Sequence, residues 1–351
     1  MATRPAAVAP APGATPVRTA VVGSWPAPFG QRPVLRPFWR GEVDEDDPTV
    51  AAALAAAARV AMDEQRACGL DEIMGGEVFA PDFLHHIPPR LSGLATLEPR
   101  DLKGGYDRIG RYRIVGDLAA PNGTGHAKAF RRERAVEAGL VKASVVSPFT
   151  IAMAFERDPA LAGQRDNLIA IVDREVAELV DAGCREIQFD APSEAVSAVR
   201  DARGVDELAA WLAPSLRAVA GVTRTVHFCL GDVGRRPATQ RQNLHALLPL
   251  VRALDGLVER VHVECSYAGQ WEERSLLAEV PASMQVIAGI ADVKSAPASV
   301  EVLRSRIDAL LEVMPAERLA VSTSCGCGRV PHDDAIRLML NLVRAARGQP
   351  G

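Results

Sequence analysis

His227-Phe228-Cys229 sets an imidazole and a thiol two residues apart, and Glu264 and Cys325 each stand at the end of a later apolar run. One His, one Glu and two Cys make a donor set that Zn²⁺ accepts in tetrahedral coordination. Side chains alternate along an extended strand, so His227 and Cys229 share a face. A centre with two thiolates suits the activation of a third sulfur, that of a substrate. A free thiol has a pKa of about 8.5 and is mostly protonated at neutral pH, and coordination removes that proton. Ser324-Cys-Gly-Cys327 offers two candidates for the last ligand, and position at the strand end favours Cys325 over Cys327. Taken singly, His227 reads equally as a satisfied core histidine. Glu264, in the run Val-His-Val-Glu-Cys, reads as half of a structural ion pair, because a buried carboxylate needs a partner.

These residues need elements to bring them together. Short β-branched runs alternate with amphipathic stretches, the pattern of repeated βα units. The spacing predicts strands at 19–25, 71–77, 141–148, 185–192, 223–231, 260–266, 284–292 and 318–326, with helices at 48–67, 164–183, 237–255, 298–313 and 332–347. Eight such strands make an α/β fold of the (β/α)₈ TIM-barrel type. Residues from about 80 to 140 exceed a simple crossover. They are expected to form an insertion between strands 2 and 3, a hairpin with strands around 104–116 plus a helix, with a Gly-rich turn at Asn122-Gly-Thr-Gly. Chemistry in this fold sits at the carboxyl ends of the strands, and all four candidate ligands fall there. Gly23 and Ser24 end strand 1, Glu77 strand 2, Asp190 strand 4 and Asp292 strand 7. Carboxylates beside a metal suit the grip of an amino acid's ammonium group. Helix capping or ion pairing is the plainer alternative for Glu77 and Asp190.

The 351 residues, 48% hydrophobic and 24% charged, are enough for one large barrel with a sizeable core. A net charge of −4 gives no reason to expect nucleic acid or an anionic membrane as partner. No apolar run approaches the roughly 18 residues of a membrane span. Residues 1–17, rich in Ala and Pro without an apolar core, read as a disordered tail, leaving 18–351 as a single barrel domain. Six cysteines at this length do not resemble a disulfide framework, so reduced thiols and a cytoplasmic location are expected. Cys68 and Cys184 read as small buried hydrophobes.

At this level of detail the chain resembles the carboxyl-terminal catalytic domain of cobalamin-independent methionine synthase. The matching segments are VVGSWP at 21–26, GLDEIMGGE at 69–77, VSPFTIA at 146–152, IQFDAP at 187–192, HFC at 227–229, VEC at 263–265, GIADVKS at 289–295 and SCG at 324–326. They recur in the family's order. The resemblance implies a TIM barrel with His227, Cys229, Glu264 and Cys325 as zinc ligands. It also implies homocysteine held by Val22, Gly23, Ser24, Glu77 and Asp190, the two acids binding its ammonium. The departures lie on the donor side. A family tryptophan becomes Ala154, Ile-Asp-Glu-Pro becomes Phe189-Asp-Ala-Pro192, and the pterin-binding glutamate falls near Val196. Tyr-Asp-Ile-His-Ser, whose His serves as proton donor, becomes Ala291-Asp292-Val293-Lys294-Ser295, so Asp292 and Lys294 are the candidate catalytic pair. The expectation is a zinc-dependent thiol methyltransferase acting on homocysteine, with a donor other than polyglutamyl folate, for example a methyl-corrinoid carried by a partner protein. Its rivals are an epoxide-opening coenzyme M transferase, a specialised S-alkylation, a non-catalytic zinc protein, and a metal-free decarboxylase-like barrel.

Overall fold

The computed structural model describes residues 16–351 apart from 81, 103–105, 156, 201–203, 233 and 241–242. The Ala/Pro-rich stretch expected to be disordered lies, through residue 15, outside the described residues. Nine strands follow in chain order: β1 (Arg18–Thr19), β2 (Ser92–Leu102), β3 (Tyr106–Ala119), β4 (Lys142–Val146), β5 (Glu186–Asp190), β6 (Thr223–Phe228), β7 (Arg260–Glu264), β8 (Gln285–Ala291) and β9 (Leu319–Thr323). Seven of them form one curled sheet in the order β1-β9-β8-β7-β6-β5-β4, every pair parallel. β2 and β3 make a separate antiparallel hairpin. No helix is long and apolar enough to cross a membrane among the described residues.

Parallel strands joined by helices are covered on both faces, and period-two alternation sorts each strand into two sets. Ile187 and Phe189, Val226 and Phe228, Val261 and Val263 are all buried in the apolar layer beneath the helices. The opposite parity is polar: Lys142 and Ser144, Glu186, Gln188 and Asp190, Thr225 and His227, Arg260, His262 and Glu264. Along β4 to β7 the barrel interior is therefore polar, while on β8 and β9 the same face carries a small apolar cluster of Ile287 and Ala320 with Ala20. At the amino ends of the strands Arg260 meets Glu72 and Glu186 at 2.7 Å each. Lys142 reaches the same two carboxylates at 3.4 and 3.5 Å. This network closes the barrel floor. The side chains of Lys142 and Arg260 are only 2% and 6% exposed, and charges that far from water require such pairing.

The expected second strand, 71–77, is not a strand. Gly76 and Glu77 both have positive φ, 84° and 53°, which no ladder tolerates. The segment still occupies the second stave: Glu72 N donates to Thr19 O at 3.2 Å and Trp25 N to Gly76 O at 2.9 Å. Side chains bridge its other edge, where Ser144 donates to Glu77 at 2.7 Å. The first stave also differs from expectation, laddering only at Arg18–Thr19 before residues 20–25 loosen. Of the helix expected over 237–255, only Leu248–Ala253 is helical among the described residues. The insertion holds a hairpin and a helix, His126–Val136, but its strands begin earlier and run longer than 104–116. Elsewhere the helix ends follow their caps. Asp47 accepts from Thr49 N and Val50 N ahead of Pro48–Cys68, and Gly69 ends that helix at φ 86°.

Candidate metal and thiol site

β6 carries His227 inward one rung below its end, and the chain turns just beyond to present Cys229. Register puts Asp190 of β5 beside His227, and His227 beside His262 of β7. The loop after β9 presents Cys325, whose Sγ lies 3.6 Å from Cys229 Sγ. Two thiolates sharing one tetrahedral Zn²⁺ at about 2.3 Å stand roughly 3.8 Å apart, so the spacing fits. The donor atoms of His227, Cys229 and Cys325 all lie within 4.8 Å of one another. His227 Nε2 is buried and has no hydrogen-bond partner, the state of a nitrogen that awaits a ligand. Cys325 is driven well below the ordinary thiol range by its contact with Cys229, aided by His227 and Lys294, while Cys229 is driven well above it. Cys327 is not part of that cluster; it is buried, and its thiol is pushed up to about 12 by burial.

Glu264 does not stand within that cluster. It is fully buried, accepts from Leu230 N at 2.7 Å, and pairs with Lys294 Nζ at 2.8 Å. Burial pushes its carboxyl up to about 7 against the pull of Lys294. Burial acts to lower the Lys294 ammonium too, but Glu264 and the two thiols hold it above its usual value. Lys294 therefore pairs with Glu264 and acts electrostatically on both thiols. Asp292 is spent locally, accepting from Lys294 N at 2.9 Å. Neither Asp292 nor Lys294 lines the cavity described next.

A cavity of about 1570 Å³ opens over the cluster and is lined by Val22, Ser24, Glu77, Asp190, His227, Cys229 and Cys325 among others. Ser24 is drawn in by two contacts, Cys327 N to Ser24 O at 2.8 Å and Gly328 N to Ser24 Oγ at 3.3 Å. Glu77 takes the Ser144 hydroxyl on one oxygen, and Asp190 takes Gln188 Nε2 at 2.8 Å. Neither acid forms an ion pair among the described residues. Burial pushes Glu77 up to about 7 and holds Asp190 well above the carboxylate range, with Glu77's charge adding to the effect on Asp190. Burial without a paired cation disfavours the charged form of both groups. Sequence reasoning did not single out Ser144, Gln188 or Asp232. Ser144 and Gln188 were legible as the inward parity of their strands, whereas Asp232 carries no motif and reaches the cavity from the loop beyond Cys229.

Comparison with known proteins adds the following. Residues 17–348 match the family described as the catalytic domain of cobalamin-independent synthase. The 5-methyltetrahydropteroyltriglutamate–homocysteine methyltransferase of Thermosynechococcus vestitus is 26% identical over 345 residues, covering 96% of this chain and 43% of that protein. The enzyme of the same name from Streptomyces avermitilis is 26% identical over 300 residues, covering 81% and 36%. The chain thus spans under half the length of these curated relatives. Among solved structures, a B12-independent methionine synthase from a Shewanella species, in complex with selenomethionine, superposes with a TM-score of 0.76 at 18% identity, covering 95% of this chain and 97% of that one. A methyltransferase from Methanosarcina mazei gives 0.58 at 14%, covering 95% and 94%. At these identities the structures speak for the fold alone.

Proposed function

The chain belongs to the family of cobalamin-independent synthase catalytic domains, and on that premise we propose that it transfers a methyl group to the thiol of homocysteine. His227, Cys229 and Cys325 would hold a zinc ion, with Glu264, here paired with Lys294 beside the cluster, as the candidate fourth ligand. What supports the reading is one coincidence: a thiol pair at 3.6 Å with an unpartnered imidazole nitrogen opens into the same cavity as two unpaired carboxylates. Bound there, zinc supplies the charge that lets an acceptor thiol shed its proton at neutral pH. The protein's own residues do the rest. Glu77 and Asp190 take the ammonium, and backbone groups of Val22, Gly23 and Ser24 flank the carboxylate. Lys294 balances the charge gathered by two thiolates and Glu264. The floor network excludes water from below.

The donor belongs to the wide outer part of the cavity, and the relatives named above are named for methyltetrahydropteroyltriglutamate. The corrinoid-carrying partner has no support, since the family is named for its independence of cobalamin. The coenzyme M alternative fares worse than homocysteine, because a sulfonate placed beside the thiols would meet Glu77 and Asp190.

Protein purified without chelators should carry about one zinc per chain, and Cys229→Ser or Cys325→Ser should lose most of it. Zinc-edge absorption should then show an added sulfur with homocysteine and none with coenzyme M. The opposite preference would sink the acceptor assignment, and a chain without zinc would sink the centre.

A further inference from the structure

His262 lies one residue before the family-like segment VEC at 263–265. It shares the inward face of β7 with Arg260 and Glu264, and register sets it beside His227 of β6. Both side chains are out of reach of water, 2% exposed for His227 and 1% for His262. The two rings lie 19° from parallel with centroids 4.3 Å apart, and Nδ1 of one is hydrogen-bonded to Nδ1 of the other.

Two imidazole nitrogens that face each other in a buried place hold one proton between them. Two N–H groups would repel, and two lone pairs would leave both polar atoms unpaired. One Nδ1 therefore donates and the other accepts. The ligand cluster decides which. With Nδ1 of His227 engaged by His262, the nitrogen that remains for a metal is Nε2, buried and without a partner. Nε2 ligates only through its lone pair, so the proton of that neutral ring belongs on Nδ1. The bond between the rings then runs from His227 to His262. The proton of His262 sits in turn at its own Nε2, which makes no close hydrogen bond and is left with the Thr323 backbone as the acceptor acting on the ring.

We propose that His262 is a positioning residue for the metal centre: its Nδ1 accepts the Nδ1 proton of His227, which fixes the tautomer and the ring angle that present His227 Nε2 to the ion. The inference rests on the zinc reading above. An acceptor behind a metal-bound histidine also makes the ligating nitrogen more basic, a part usually taken by a carboxylate or a carbonyl. Here the acceptor is a neutral ring. It brings no further negative charge to a centre where Lys294 already balances two thiols and Glu264.

The test reads zinc affinity, by competition with a chromogenic chelator, and nitrogen NMR of protein labelled with 15N-histidine. His262→Leu should weaken zinc binding about 10- to 100-fold. His262→Asn keeps an acceptor oxygen near the place of Nδ1, and its affinity should stay within about threefold of wild type. Equal losses in the two variants would reduce His262 to filling space, and an unchanged affinity in His262→Leu would leave it no part in the centre. Either result overturns the proposal. The NMR measurement needs no variant to fold. In the zinc-loaded wild type, His227 should bind the metal through Nε2 and carry its proton on Nδ1. Zinc on Nδ1, or a His227 ring without a proton there, overturns the proposal while the centre stands. A wild-type chain that binds no zinc overturns the centre itself, and the role of His262 with it.

Discussion

Gly23 is confined by Glu77: a β-carbon at that position would stand 2.0 Å from Glu77 Oε1. Gly23→Ala should therefore push the carboxylate off its Ser144 bond and weaken homocysteine binding about tenfold or more, read by calorimetry, with the circular dichroism spectrum unchanged. Glu77 itself carries two costs, a positive φ and a carboxyl pushed up to about 7 by burial. Glu77→Gln removes the second. At pH 8 it should raise stability by about 1–2 kcal/mol, only part of the shift because the residue is half-buried, while abolishing acceptor binding. A variant that lost both stability and binding would show that Glu77 is structural. The His-x-Cys spacing and the run ending in Glu264 were readable because alternation along a strand is a local property. The Glu264–Lys294 pair was not, since it joins β7 to the loop after β8 across thirty residues of chain, and no local pattern connects them. The choice of Cys325 over Cys327 likewise depends on which sulfur meets Cys229, a contact made over 96 residues.

At the level of elements, β4 to β9 were legible within a few residues, because buried parallel strands read as short apolar runs between helices. The second stave was misread for a physical reason. Asp71-Glu-Ile-Met has strand-like composition, but Gly76 and Glu77 take the positive φ values that bend the chain and deliver the Glu77 side chain to the rim. The irregularity is what places the carboxylate. In compensation the floor network ties Glu72 to β4 and β7 by side chains where no ladder exists. Arg260→Met leaves Glu72 with Lys142 and the exposed Arg18, and Glu186 with Lys142 and the Thr225 hydroxyl, and should cost about 3–5 kcal/mol, read as a lower urea midpoint. Lys142→Met should cost less, its contacts being 3.4 and 3.5 Å against 2.7 Å for Arg260.

The whole molecule gathers carboxyl groups that fold at the expense of their charge. Glu77, Glu133 and Glu194 are each pushed up to about 7, burial being the largest cause in every case. Between about pH 4.5 and 7 these three groups hold more protons in the folded chain than in the unfolded one, and their contribution to stability falls as pH rises through that window. Buried His86 and His126, driven down to about 3, act in the opposite sense below about pH 6.5. Each proton taken up contributes a slope of up to about 1.4 kcal/mol per pH unit. Metal-free protein should accordingly show a higher denaturation midpoint at pH 5.5 than at pH 8. A midpoint that climbs with pH would refute the assignment of these acids. The charged floor has a further consequence for the order of events. With Arg260, Lys142, Glu72 and Glu186 sealing the amino ends of the strands, the cavity can fill and empty only from the carboxyl rim. On the thiol-methylation reading proposed above, the thiol would sit at the inner end and the donor nearer the mouth, so a donor that arrived first would bar the way behind it. Steady-state kinetics should then be sequential and ordered, with the amino-acid thiol entering first and the thioether leaving last.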